Sequence, residues 1–237
     1  MSDKLIVALD RPNFLSAKIL IDELGDLVNF YKIGLELMAS GEYFAVIEYL
    51  KNKNKKIFAD LKLYDISQTV GKAVANLAKH QIDLLTIHSA SRDIMARANE
   101  NKGSMKIIAV SVLTNLNNND LNEMGFDKNL SLLDLVEKKT SLALNCGLDG
   151  IVASAHEAKI MRAKFGKDFL IITPGIREKN YQQEILNDDQ KRVADVEFAI
   201  QSGSSYLVIG RPITASENIR ESAKKFINLI NESSINS

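Results

Sequence analysis

Charged residues interrupt the apolar stretch Phe58-Ala-Asp-Leu-Lys-Leu-Tyr-Asp-Ile66 at short, regular spacing. Asp60 and Lys62 are two residues apart, which places both side chains on the same face of an extended segment. Carboxylates beside an ammonium favour its charged form, and such a lysine can stabilise negative charge on a reacting atom and then donate a proton to it. A salt bridge followed by a helix N-cap at Asp65 is the structural alternative. Three alternating charges favour a catalytic role for Asp60, Lys62 and Asp65.

Two further charged residues lie near the ends of the first two apolar runs. Asp10 follows Leu5–Leu9, and Lys32 lies near the end of Val28–Ile33. If these runs are neighbouring parallel strands, the two side chains are close enough to pair. A purely structural ion pair is one interpretation. The other is a network of alternating charges shared with Asp60, which would order sugar hydroxyls through charge-assisted hydrogen bonds.

Two segments near the end of the chain have the composition of an anion site. Pro174-Gly-Ile-Arg177 and Gly210-Arg211 each combine glycine with arginine directly after an apolar run. Glycine lets backbone N–H groups approach phosphate oxygens, and arginine presents a fork of donors. One Gly-Arg pair could be a turn with a surface charge, but two such segments in succession predict phosphate binding.

Apolar runs alternate with amphipathic segments along the chain, and they are rich in Ile, Val and Leu without polar alternation, as in parallel strands covered on both faces. The runs are Leu5–Leu9, Val28–Ile33, Lys56–Ala59, Leu84–Ile87, Lys106–Val112, Gly150–Ala153, Phe169–Thr173 and Tyr206–Ile209. Predicted helices occupy 14–24, 36–50, 66–79, 91–100, 131–146, 155–165, 193–202 and 216–230. This alternation over 237 residues predicts a single α/β domain, a (β/α)8 TIM barrel over 1–237. An open doubly wound sheet is less consistent, because no glycine-rich turn follows the first run.

The spacing between strand ends is longest after the fifth and seventh strands. It predicts insertions near 115–129 and 175–192, on the barrel face that carries chemistry. Long loops at this face are candidate lids, and surface insertions are the alternative.

Composition excludes several classes of protein. Thirty Lys and Arg residues balance thirty Asp and Glu residues, whereas a protein that follows a nucleic-acid backbone usually carries a basic excess. The single cysteine, Cys146, suits a reducing compartment, and no uncharged apolar run approaches the ~20 residues of a membrane span. The histidines lack ligand spacing, so no metal site is predicted. We expect a cytoplasmic protein with neither nucleic-acid nor membrane partners.

An ordered set of motifs spanning Leu5 to about Ile213 resembles the orotidine 5′-phosphate decarboxylase family. The motifs are Val7-Ala-Leu-Asp10, Lys32-Ile-Gly34, Asp60-Leu-Lys62-x-x-Asp65-Ile66, Pro174-Gly-Ile-Arg177, Asp189-Gln-x-Arg192-Val193 and Ile209-Gly-Arg-Pro-Ile213. The resemblance implies decarboxylation of orotidine 5′-phosphate to uridine 5′-phosphate by a homodimer, with a nucleotide monophosphate as substrate and no metal or organic cofactor.

The resemblance also implies a role for each site residue. Lys62 would protonate C6 of the pyrimidine as carbon dioxide leaves, and Asp60 would lie against the departing carboxylate. Asp65 and Thr69 would complete the site of the partner subunit. The implied substrate-binding residues are Asp10 and Lys32 at the ribose, Thr114 at the base, and Pro174, Arg177, Gln190, Gly210 and Arg211 around the phosphate.

The chain departs from the usual family pattern after Asp65-Ile66, where Ser67-Gln68-Thr69 stands in place of Pro-Asn-Thr. The segment between Arg177 and Gln190 is also longer than usual. One alternative function is a Mg²⁺-dependent sugar-phosphate lyase or decarboxylase of the same superfamily, which usually carries an acidic metal ligand where this chain has Lys32, although Glu36 lies close by. The other is a non-catalytic phosphate-ligand binder on the same barrel.

Overall fold

The computed structural model describes residues 3–178 and 193–235, and the strands of this part of the chain close into a parallel barrel. The barrel strands are β1 (Leu5–Ala8), β2 (Phe30–Gly34), β3 (Lys56–Leu63), β4 (Leu84–His88), β5 (Lys106–Val110), β6 (Gly150–Val152), β7 (Leu170–Thr173) and β10 (Tyr206–Ile209). Their order is β1-β10-β7-β6-β5-β4-β3-β2, and each pair of neighbours is parallel. The predicted (β/α)8 barrel is confirmed.

Helices follow the strands and cover the outside of the barrel. They are α1 (Phe14–Leu24), α2 (Leu35–Ala39), α3 (Tyr43–Asn52), α4 (Ser67–Ala78), α5 (Arg92–Glu100), α6 (Asn118–Glu123), α7 (Leu132–Asn145), α8 (Ala155–Phe165), α9 (Val196–Gln201), α10 (Arg211–Thr214) and α11 (Ile219–Ile235). The sequence pattern predicted α1 with the observed bounds.

The continuous helix predicted over 36–50 is wrong, because the structure divides it into α2 and α3. Between them lies Gly41, whose φ is +80°, a left-handed conformation that glycine adopts without steric cost and that ends a helix. The apolar periodicity continues across this break because both helices bury the same side toward the barrel, with Leu37 and Val46 fully buried.

Side chains alternate between the barrel interior and the layer under the helices. The interior is filled by Ile6, Ala8, Phe30, Phe58, Leu84, Ile108, Ile172 and Val208. Phe58 faces this interior. Asp60 lies two residues further along β3, above this apolar layer and near the carboxyl ends of the strands. The fold thereby directs the polar ends of the strands into one mouth.

The first predicted insertion, 115–129, contains the short helix α6, which begins with a capping box between Asn117 and Asp120. For the second, 175–192, residues 179–192 lie outside the described residues. The parts on either side of them pair with each other, because β8 (Ile176–Arg177) lies parallel to β9 (Ala194–Asp195). Within residues 3–178 and 193–235, no helix is both long and apolar enough to cross a membrane.

The close contact of β6 with β7 generates a prediction about stability. A Cβ atom at Gly150 would lie 2.3 Å from the backbone oxygen of Leu170. Gly150→Ala is therefore expected to lower the free energy of unfolding by about 3 kcal/mol, because the strand backbone must shift to accommodate the methyl group. Urea titration followed by circular dichroism measures the change.

Gly41→Ala is the matched control, since an added Cβ there lies more than 4 Å from every neighbouring atom of the described residues, and the cost is limited to about 1 kcal/mol for the positive φ. Equal destabilisation of the two variants would contradict the steric interpretation of Gly150.

Candidate active site

A bulge in β3 turns the two central charged residues into the barrel mouth. Ala59 is in register with Leu85 and Leu63 with Ile87, so β3 advances four residues while β4 advances two. Within the bulge Lys62 has a φ of +48°, a left-handed conformation that costs a non-glycine residue about 1–2 kcal/mol. The shared orientation of Asp60 and Lys62 therefore depends on an irregular strand and not on the simple extended alternation that the spacing suggested.

Asp60 is the centre of the charge network in the mouth. Its Oδ2 lies 2.8 Å from Lys62 Nζ and 3.5 Å from Lys32 Nζ, and Lys32 Nζ also lies 2.9 Å from Asp10 Oδ1. The predicted pairing of Asp10 with Lys32 is present, and Asp60 joins it to Lys62. The four side chains therefore alternate in charge, in the order Asp10, Lys32, Asp60, Lys62.

These ion pairs are largely shielded from water, since the Asp60 side chain is 12% exposed and that of Lys32 is 13% exposed. Charges interact more strongly in such surroundings than they do in water. Burial by itself would raise the pKa of Asp60, but the Lys32 and Lys62 ammoniums and the hydrogen bonds outweigh it and hold that pKa below its usual value. Burial would lower the pKa of Lys32, and the carboxylates of Asp60 and Asp10 reverse the effect and raise that pKa. Both groups are charged at neutral pH.

The sequence patterns did not indicate Thr86, which contacts both central residues. Its hydroxyl donates to Asp60 Oδ1 at 2.9 Å and accepts from the backbone N–H of Lys62 at 2.9 Å. The residue is fully buried at the third position of β4. The available signal was a hydroxyl residue in the otherwise apolar run Leu84-Leu-Thr-Ile87.

The opposite side of the mouth carries the predicted anion site. Gly175 adopts a φ of +76°, which permits the sharp turn between Pro174 and β8, where Arg177 is located. Gly210 precedes α10, and no side chain among the described residues caps the start of this helix. Backbone donors and two guanidinium groups thus lie across the mouth from Lys62.

A cavity of about 560 Å³ joins the two sides. Its apolar floor includes Ala8, Phe58, Val152, Ile172 and Val208. Nine of the predicted site residues line it, namely Asp10, Lys32, Asp60, Lys62, Thr114, Pro174, Arg177, Gly210 and Arg211. A cavity with an apolar floor, an ion network at one end and arginines at the other matches an amphiphilic ligand that carries an anionic group.

Of the other three predicted site residues, two were expected to complete the partner subunit's site, and the third lies outside the described residues. Asp65 and Thr69 are exposed, and the lining that the described residues contribute to the cavity does not include them. Asp65 Oδ1 instead accepts from the backbone N–H of Ile66, at 2.6 Å. Gln190 lies outside the described residues.

A family model described as "Orotidine 5'-phosphate decarboxylase / HUMPS family" matches residues 3–226. The chain is similar to an orotidine 5′-phosphate decarboxylase from Methylococcus capsulatus, with 43% identity over 95% of this chain and 90% of the relative. It is similar to one from Caulobacter vibrioides, with 44% identity over 94% and 95% respectively. A crystal structure of orotidine 5′-phosphate decarboxylase from Lactobacillus acidophilus superimposes with a TM-score of 0.84 at 29% identity, covering 97% of this chain and 100% of that chain.

The positive φ of Lys62 generates a prediction about stability. Both Lys62→Gly and Lys62→Ala remove the ion pair, but only alanine retains a Cβ that opposes the left-handed conformation. We expect the glycine variant to be the more stable by about 1 kcal/mol, measured by urea titration. The matched pair is Lys56→Gly and Lys56→Ala at the start of the same strand, where φ is ordinary and alanine is expected to be the more stable. The same order at both positions would contradict the role assigned to φ.

Proposed function

The chain belongs to the orotidine 5′-phosphate decarboxylase / HUMPS family, and from this premise we propose that it converts orotidine 5′-phosphate to uridine 5′-phosphate with Lys62 as the proton donor. This carboxy-lyase reaction is a step of pyrimidine biosynthesis. The observation that carries the proposal is the Lys62 ammonium, held 2.8 Å from Asp60 in a cavity that also contains Arg177 and Arg211.

In the proposed reaction the bond between C6 and the carboxylate breaks, carbon dioxide leaves, and the electron pair stays on C6. The pyrimidine offers this in-plane pair no π system, so the protein must stabilise it electrostatically. The Lys62 ammonium lies beside the carbanion and then donates its proton to C6, which gives the product and a neutral lysine that solvent reprotonates.

Asp60 would lie against the substrate carboxylate. Two unit charges at about 4 Å repel by roughly 4 kcal/mol at an effective dielectric constant near 20. Rate enhancements by enzymes correspond to roughly 8–23 kcal/mol, so repulsion is too small to account for the catalysis. Asp60 therefore contributes mainly by positioning the Lys62 ammonium, and transition-state stabilisation by Lys62 is the larger effect.

The remaining lining residues would hold the parts of the substrate that do not react. Asp10 and Lys32 suit the ribose hydroxyls, because each offers a charge-assisted hydrogen bond at fixed geometry. Arg177, Arg211 and the backbone at Gly210 suit the phosphate, with Pro174 shaping the turn. Thr114 would lie at the base, and Gln190 would join the phosphate contacts. Binding energy from the phosphate then helps to position C6 against Lys62.

We further propose that the active protein is a homodimer in which Asp65 and Thr69 enter the cavity of the partner subunit. Exposed apolar side chains flank Asp65 on the surface, since Tyr64 is 70% and Ile66 71% exposed. Leu35, directly after the neighbouring strand β2, is 60% exposed. Large apolar side chains grouped at the edge of a cavity are typical of a surface that another chain covers.

The proposed enzyme acts in the cytoplasm without a metal or an organic cofactor. Lys32 occupies the end of β2, where the Mg²⁺-dependent members of the superfamily usually carry an acidic ligand, and its ammonium would repel a cation. Glu36 is exposed on α2 and does not belong to the lining that the described residues form. The free thiol of Cys146 is consistent with a reducing compartment.

The first functional prediction concerns Lys62 and Arg211. Lys62→Ala is expected to lower kcat by at least about 10⁴-fold, since it removes both the charge that stabilises the carbanion and the proton donor. Arg211→Ala is expected to lower kcat/KM by about 10- to 100-fold, mainly through KM, because it removes a charged hydrogen-bond donor to the phosphate. EDTA-treated protein is assayed by the change in ultraviolet absorbance of orotidine 5′-phosphate.

Lys159→Ala, at an exposed position of α8, is the control and should retain parental turnover. Near-parental kcat in Lys62→Ala would contradict the assignment of Lys62. Turnover that appears only after addition of Mg²⁺ would favour the metal-dependent lyase, and nucleotide binding without turnover in the parent would favour the non-catalytic binder.

The second functional prediction tests the shared site by mixing two inactive variants. If Asp65 acts in the partner's cavity, a mixed dimer of Lys62→Ala and Asp65→Ala subunits contains one site with both residues intact. Random exchange of subunits should then restore about a quarter of parental activity. If each chain used its own Asp65, every site in the mixture would lack one residue and activity would stay at the level of the unmixed variants.

A further inference from the structure

We propose that Thr86 is a positioning residue for this reaction, and that its hydroxyl holds the Lys62 backbone and the Asp60 carboxylate in the geometry required for proton donation. The inference rests on the proposed function of Lys62. The observation that carries it is one buried hydroxyl within hydrogen-bond distance of both residues.

The direction of both hydrogen bonds follows from the chemistry of the groups. The backbone N–H of Lys62 can only donate, so the Thr86 oxygen accepts from it. An ionised carboxylate can only accept, so the single hydroxyl proton is directed to Asp60 Oδ1. Only one orientation of the Thr86 hydroxyl therefore satisfies the Lys62 N–H, the Asp60 carboxylate and the hydroxyl itself.

The contact with Asp60 determines which carboxylate oxygen meets the lysines. Oδ1 accepts from Thr86, whereas Oδ2 is the atom close to both Lys62 and Lys32. Without the hydroxyl, the carboxylate could rotate and move the acceptor away from the Lys62 ammonium. The Thr86 hydroxyl thus orients the Asp60 carboxylate and, through it, the ion pair between Asp60 and Lys62.

The contact with Lys62 compensates for the bulge in β3. The register shift between Ala59 and Leu63 takes the Lys62 amide out of the regular ladder with β4, so this amide needs an acceptor other than a β4 carbonyl. Thr86, on the strand next to the bulge, supplies a side-chain acceptor in place of a backbone carbonyl. The φ of +48° at Lys62 is therefore held by a specific hydrogen bond.

Thr86 can be compared with Thr140, a second fully buried threonine. The Thr140 hydroxyl, on α7, has no hydrogen-bond partner among the described residues. Replacement by valine nearly keeps the shape of either threonine and exchanges its hydroxyl for a methyl group. The same chemical change at the two positions therefore separates loss of the proposed contacts from the general effect of a Thr→Val change in the interior.

The experiment measures kcat and KM for orotidine 5′-phosphate, and the affinity for uridine 5′-phosphate by calorimetry, in Thr86→Val, Thr86→Ser and Thr140→Val. For Thr86→Val we expect kcat to fall by about 10- to 100-fold while KM and product affinity stay within about threefold of the parent, since the phosphate contacts are intact. Thr86→Ser keeps the hydroxyl and should recover kcat to within about threefold of the parent. Thr140→Val should match the parent in all three quantities.

Parental kcat in Thr86→Val, or an equal loss of kcat in Thr86→Ser and Thr86→Val, would overturn the proposal. If the valine variant fails to fold by circular dichroism, Thr86→Ala is compared with Thr86→Ser, because these differ by one oxygen atom. A kcat at least tenfold lower in the alanine variant supports the proposal, and equal kcat values refute it. Failure of the parent to turn over orotidine 5′-phosphate would instead refute the proposed function, so the two failures are distinguishable.

Discussion

The site depends on one constraint, which is that the Asp60 carboxylate is largely removed from water and must be neutralised by the ammoniums of Lys32 and Lys62. Asp60 is nearly buried, and an uncompensated ionised carboxylate in such surroundings would be strongly destabilising. Lys62 and Lys32 meet one of its oxygens and Thr86 meets the other. Removing one partner from a buried pair typically costs about 3–5 kcal/mol, so each member of the network restricts the placement of the others. The Lys62 ammonium is held in place because the Asp60 carboxylate needs it as a partner.

The backbone of the barrel places the four charged side chains of the network together. Parallel strands bring their carboxyl ends to one mouth, and the apolar interior beneath Asp60 excludes water from below. A regular β3 would pair its Lys62 amide with β4, but the bulge releases this amide and places Lys62 in a left-handed conformation. That conformation is unfavourable for a lysine, and it persists because the surrounding contacts over-determine it. The unfavourable backbone conformation of Lys62 and its ion pair with Asp60 thus occur together, because both depend on the bulge in β3.

Charge is separated along the cavity in a way that suits a nucleotide. The ion network lies at one side, the arginines and glycine turns lie at the other, and aliphatic side chains line the space between them. Under the proposed function, phosphate contacts far from the reacting carbon would supply binding energy, while Lys62 would interact with charge that develops only during the reaction. This division follows from the order of the closed sheet, in which β3, the strand that carries Asp60 and Lys62, lies across the barrel from β7, and β10 neighbours β7.

The amino-acid sequence by itself determined the alternation of buried strands and amphipathic helices, and hence the barrel, because hydrophobic burial has a local periodicity that can be read without coordinates. Charged residues at the ends of apolar runs likewise indicated Asp10, Lys32, Asp60, Lys62, Arg177 and Arg211, since such residues are costly there unless they have a function. Only the tertiary structure decided three other matters. The bulge at Lys62 depends on the register between β3 and β4, which no local pattern encodes. The role of Thr86 depends on its distance from residues more than twenty positions away. The position of Asp65 outside the lining that the described residues give the cavity depends on the course of the chain after β3, and sequence spacing carries no information about that course.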